Sequence, residues 1–195
     1  MQTTILTITH DEWFRLSGIV GDAFENLSGR WLDEESSWGK VRIQTSLTAL
    51  NIEFSAKVME VGYHQDAYPL LHVDLADSIP KDVIAEGRFL YHGKGERIRA
   101  IHVMREYVDC LRESKPYFAY IADCAVAIQL DTMCIAIMRA NHASQSLLIS
   151  RAPTRDLLDL PRPEFEWVST LIEAYTVRRE WIDVTNPPKS PAEEA

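Results

Sequence analysis

Four side chains able to hold a metal ion fall close together in this chain: His64, Asp66, His72 and Asp74. Residues two apart on a strand share a face, so His72 and Asp74 point together, opposite Leu71, Val73 and Leu75. Imidazole with carboxylate suits zinc or a harder transition metal, and such a cluster would serve a metal-dependent hydrolase. The simpler reading is the solvent face of an edge strand and its preceding turn. A second set, His92-Gly93-Lys94-Gly95-Glu96-Arg97, lies directly before a stretch with helical spacing. Glycines and a lysine at a helix N-terminus bind anions, which makes Lys94, Gly95 and Arg97 an anion-site candidate. Gly95 and Glu96 follow Lys94 where a P-loop has Ser or Thr, so the nucleotide motif fails. Nucleophilic catalysis has less behind it. Ser144 and Ser146 lie near His142, but no G-x-S-x-G elbow exists. Cys134 sits in an apolar run without basic neighbours and reads as buried. Trp31, Trp38, Trp167, Trp181 and Tyr175 complete the set, because tryptophan and tyrosine are enriched where proteins bind one another.

Composition limits what these residues do. The chain has 195 residues, 46% of them hydrophobic and 25% charged, which is ordinary for a globular protein of about one domain. Its net charge of −9 opposes general binding to nucleic acid. Lys94, Arg97, Arg99 and Arg105 form a local basic exception. The three cysteines, Cys110, Cys124 and Cys134, form no CxxC pair and suit a reducing compartment. No apolar run reaches the length of a membrane span, and the N-terminus lacks a signal-peptide pattern. These features predict a cytoplasmic protein without a cofactor.

The elements that position the candidates follow from periodicity. Gln2–Thr9 reads as a short strand. Thr9-His10-Asp11-Glu12 is a capping box, and Trp13, Leu16, Val20, Phe24 and Leu27 continue at helical spacing to Gly29. Phe14, Gly18 and Gly21 form an adjacent stripe, either a bend or a close approach of a second copy. Arg30–Gly39 reads as a polar loop. Val41–Leu47 and Ile52–Val58 alternate on opposite parities, which predicts a hairpin turning near Asn51. Leu71–Leu75 is a third strand. Helices are predicted after Asp77-Ser78, over Ile79–Tyr91, and again over Arg97–Glu113. Two or three strands are predicted between Val126 and Ile149, and residues 117–128 are open to either helix or strand. Pro161 and Pro163 introduce a final helix carrying Phe165, Val168, Leu171, Ile172, Tyr175 and Ile182, flanked by Trp167 and Trp181. The predicted fold is therefore α+β, an antiparallel sheet flanked by amphipathic helices. It forms one domain over residues 1–185, with a Pro-rich acidic tail at 186–195.

The stretches Leu71-His72-Val73-Asp74-Leu75-Ala76-Asp77-Ser78-Ile79-Pro80 and Leu160-Pro161-Arg162-Pro163-Glu164-Phe165 through Trp181 resemble the strand, middle helix and final helix of the type III secretion chaperone-like fold. The resemblance implies a small, acidic, usually dimeric, non-enzymatic protein that binds an extended segment of one partner protein. It identifies no catalytic residue. The expected function is protein binding as a chaperone or adaptor, with a homodimer expected from the glycine stripe and the wide last helix. A bacterial immunity or anti-defence protein that binds and inhibits its target fits the same description, and the His/Asp hydrolase is the enzymatic alternative.

Overall fold

Alternating apolar residues dominate the architecture. The computed structural model describes residues 2–31, 38–48, 50–61, 66–75, 89–139, 146–161 and 174–188. Among them run β1 (Gln2–Leu6), α1 (His10–Gly18), β2 (Ala23–Trp31), β3 (Trp38–Thr45), β4 (Asn51–Val61), β5 (Asp66–Leu75), β6 (Phe89–Arg97), β7 (Ala100–Arg112), β8 (Lys115–Gln129), β9 (Cys134–Arg139), β10 (Leu147–Ala152) and β11 (Ala174–Asp183). A short 3-10 turn covers Arg155–Leu157.

Two antiparallel sheets result. One has the order β6-β2-β3-β4-β5, the other β11-β7-β8-β9-β10, and among the described residues a single pair, Leu147 with Trp38, joins them. β1 runs parallel to the first half of β8, pairing Gln2–Leu6 with Phe118–Ala122, on the margin that β9 takes further along. Phe24, Leu27, Val41, Ile43, Ile52 and Phe54 from the first sheet meet Ile101, Val103, Val126, Ile128, Ile135 and Ile137 from the second in one core. Burying each such side chain stabilises by about 1.5–3 kcal/mol. Residues between them face away: Glu53 lies between Lys40 and Arg42 on the opposite side of the β3–β4 hairpin, 2.6 Å from each donor.

The expected α+β fold with flanking helices is corrected to a mainly antiparallel β structure with one α-helix among the described residues. The capping box forms as predicted, with Thr9 and Glu12 bonded reciprocally, but the helix stops at Gly18. Gly21 turns the chain at φ +87°, and Phe24 and Leu27 belong to β2. A Cβ on Gly18 or Gly21 would meet nothing within 4 Å, so these glycines end a helix and make a turn rather than admit another backbone. Arg97–Glu113 is not a helix: Ala100–Arg112 is β7, and its Val103–Glu106 stretch is buried on both faces. Ile101 and Val103 enter the main core, while Met104, Val108 and Cys110 join smaller clusters behind the sheet. Burial on both sides removes the alternation by which a strand is recognised. The predicted last helix is likewise a strand over Ala174–Asp183, and its start at 162–173 lies outside the described residues. So does most of the helix predicted after Asp77, although Leu90 and Tyr91 fall in β6. Residues 117–128 are strand. Arg30, Trp31, Trp38 and Gly39, expected in a loop, end β2 and begin β3. The hairpin of β3 and β4, the third strand at Leu71–Leu75 and the strands within 125–149 follow the sequence pattern. The tail is described only to residue 188, and no described helix is long and apolar enough to cross a membrane.

Candidate functional site

β7 and β8 are the longest strands, with 13 and 15 residues. Their halves nearer the connecting turn, together with β1 and the start of β11, form a four-stranded wing in the order β11-β7-β8-β1. Two extra residues in β8, Cys124 and Tyr117, shift its register against β7 and bend the wing.

The root of the wing is held by buried charges. Arg105 grips Asp123 bidentately, at 2.7 and 3.0 Å, and Asp123 also accepts the Ile8 N–H at 2.9 Å. Burial opposes the Arg105 charge, but Asp123 outweighs it and fixes the guanidinium as a cation. Glu106 receives Arg139 at 2.7 Å and Arg179 at 2.6 Å. Burial works to raise its carboxyl, and the two arginines outweigh that and hold it below the usual carboxylate range. Both Arg105 and Glu106 thereby tie β7 to its neighbours. Next along β7, Tyr107 donates its hydroxyl to Glu180 of β11, Arg178 reaches Glu180 at 2.9 Å, and the Arg178 guanidinium lies 3.8 Å from the centre of the Tyr107 ring.

The wing's surface combines exposed apolar side chains with an open margin. Ile5, Tyr117, Tyr175 and Val177 are exposed at 45, 42, 37 and 36%, with Ile5 on the face of Tyr107 and Ile121, and Tyr175 and Val177 on the opposite face, that of Val108 and Cys110. A shallow hollow of about 390 Å³ is lined by Thr3, Tyr107, Asp109, Ile121, Thr176 and Arg178 among others. β11 pairs with β7 on one side, and no described strand pairs with its other side. Ala174–Arg178 is exposed throughout. Such a margin presents main-chain N–H and C=O groups to an incoming strand.

The sequence candidates are spread over the molecule. Tyr175 lies on the wing. Trp181 is half-buried against Met104, Cys124, Ala125 and Met138, with the Arg155 guanidinium 5.8 Å from its ring centre. Trp31 and Trp38 are paired across β2 and β3, and their side chains lie outside the described part, as does Trp167. His72 and Asp74 do share a face of β5, but His72 Nδ1 is 2.6 Å from Glu12 and its Nε2 3.9 Å from Asp74. Asp74 takes Arg15 at 3.0 Å. Glu12 and Arg15 also meet the Val73 N–H and C=O, so α1 covers the margin of β5 at this point. His64 and the Asp66 side chain lie outside the described part, and among the described residues no three His, Cys, Asp or Glu side chains are grouped to hold a metal. Lys94 and Gly95 stand in a bulge of β6, Arg97 is paired with Ala23 beyond it, and none of the three lies at a helix N-terminus, which corrects their expected setting. Asp131 supplies a carboxylate there, accepting the Arg97 N–H at 2.9 Å and Arg99 at 2.6 Å. Ser146 is buried, while Ser144 and His142 lie outside the described residues. Burial raises the Cys134 thiol to about 11, as suits a structural cysteine.

Sequence reasoning missed Glu106, Asp123, Arg139 and Arg179, and the exposed Ile5, Tyr117 and Val177, and it placed Arg105 in a basic strip, whereas Arg105 is buried against Asp123. One signal was present: Asp123 is the lone charge in the run from Tyr117 to Leu130. The fold and its surface define a two-sheet β protein with a projecting, partly apolar wing. No protein-family model, curated protein or solved structure matches the chain.

Proposed function

We propose that this chain is a non-enzymatic protein-binding protein that takes one partner protein, and that it does so along β11. The exposed run Ala174–Arg178 carries this reading, because it joins an open strand margin to the exposed Tyr175 and Val177 side chains. A partner segment laid beside β11 would gain main-chain hydrogen bonds from the margin and specificity from alternate side chains. The buried Arg105–Asp123 and Glu106–Arg179 contacts support it by stiffening the wing, which lowers the entropy lost on binding.

The test is capture of partners on the tagged full-length chain, compared with two variants. Val177→Asp puts a charge on the binding margin. Leu47→Ala alters an exposed apolar residue in the β3–β4 turn. One stoichiometric partner, retained by Leu47→Ala and lost by at least about tenfold with Val177→Asp, is the expected result. A partner that binds both variants equally would rule out β11 as the site. Thermal unfolding of each variant separates lost binding from lost folding.

A further inference from the structure

The chain between Pro153 and Pro161 crosses the second sheet on the face turned away from the main core. Leu158 and Leu160 pack there on Ala127, Cys134 and Ala136, and Leu160 also on Met104, Ala125 and Met138. This strap is fastened to β11 twice. Arg155 lies over the Trp181 ring, and Arg179 donates to the Pro161 carbonyl at 2.8 Å.

His102 stands beside it on β7, opposite Ala127 of β8 and Asp183 of β11. Its Nδ1 is buried and has no hydrogen-bond partner. The charged and titratable groups around it are Arg155 and Asp156 of the strap and Asp183 of β11, with the Cys134 thiol of β9 on the same face of the sheet. Asp183 draws a proton toward His102, but its Oδ1 is already held by the N–H and hydroxyl of Thr185, at 2.8 and 2.7 Å. Arg155 pushes the other way. A neutral imidazole fits this place, because its unpaired nitrogen then carries an uncharged lone pair that needs no acceptor. A protonated ring would put a charged N–H donor at that buried position with no acceptor, next to a guanidinium.

We propose that the Pro153–Pro161 strap is an acid-released cover and that protonation of His102 opens it. Lifting the strap removes Arg155 and admits water to Nδ1, so the charged ring is better accommodated in the open form. Burial first, and Arg155 second, lower the His102 proton affinity from its ordinary 6.5. The sign follows: the closed form is fully favoured above about pH 6.5 and loses ground as the pH falls below it. Opening uncovers Cys134, Ala136 and Trp181 beside β11.

Cys134 provides the readout, since the strap covers its thiol. The intact chain is treated with a pyridyl disulfide that reacts with thiols in acid, and modification at Cys110, Cys124 and Cys134 is followed by mass spectrometry. Rates are normalised to the unfolded chain at each pH. Between pH 7 and pH 5 the Cys134 rate is expected to rise by about tenfold, with Cys110 and Cys124 unchanged. His102→Gln keeps a polar side chain without the charge and is expected to abolish the rise. Arg155→Gln, which removes the neighbouring cation, is expected to diminish it, and this second variant keeps the test decisive if His102→Gln fails to fold. A flat Cys134 rate in the native chain overturns the proposal. So does an acid rise shared by all three cysteines, one that persists in His102→Gln, or one that Arg155→Gln leaves undiminished.

Discussion

Removing one member of the Arg105–Asp123 pair strands a charge that water cannot reach. Arg105→Met should therefore cost about 3–5 kcal/mol of unfolding free energy, read as a shift in the urea midpoint. Arg105→Met combined with Asp123→Leu should recover part of that loss, because the remaining defect is the single Ile8 N–H that Asp123 accepts. An equal or larger loss in the double variant would show that the pair's worth is not that of a buried ion pair. Asp22 acts at a turn. Its carboxylate accepts the Ala23, Leu47 and Thr48 N–H groups and the Thr48 hydroxyl. Burial pushes its proton affinity up, but bonds from Thr48, Thr45 and Leu47 outweigh this and draw it down from 3.8 to about 2. A depressed carboxyl stabilises the fold above its unfolded value, so this contribution is complete above about pH 4 and is lost as the pH falls toward 2. Asp22→Ala should cost about 2 kcal/mol at neutral pH and flatten the acid limb of the stability curve between pH 4 and 2. An unchanged limb would assign acid sensitivity to other carboxylates. These residue-level roles were hard to read from sequence, because Asp22 and Asp123 act on N–H groups supplied by distant segments.

Strand β6 illustrates the element scale. It crosses β2 with extra residues at Gly93–Gly95, where Lys94 and Gly95 take φ of 49° and 75°. A Cβ on Gly93 would stand 2.3 Å from the Phe24 carbonyl oxygen and from its ring. Gly93→Ala should lose about 2 kcal/mol or more through forced separation of β6 from β2, measured by thermal unfolding. A neutral outcome would mean that the two strands part without cost. The same segment shows why the sequence suggested a glycine-lysine anion loop: glycines in a wide bulge and glycines before a helix look alike until the partner strand is known. Strands with one solvated face were legible, as β3 and β4 show through Val41, Ile43, Ile52 and Phe54. α1 was legible at its start, where Thr9 and Glu12 act locally, and not at its end, where Phe24 and Leu27 happen to continue its spacing. β7 was misread because its Val103–Glu106 stretch is buried on both faces, and β11 because Tyr175, Val177 and Trp181 meet different surroundings along one strand.

At the scale of the whole molecule, the two sheets form a core from which the β11-β7-β8-β1 wing projects. The wing joins segments far apart in sequence, with β1 at one margin and β11 at the other, and for that reason no local motif marks it. Its buried charges keep it rigid while its margin stays open, and a protein with this arrangement is expected to order its partner more than itself. Hydrogen exchange on the native chain, alone and with its captured partner, tests this most directly. The account predicts that the partner slows exchange across Ala174–Arg178, with little change in β4 and β5. Protection confined to β4 and β5, with the β11 amides unchanged, would contradict it.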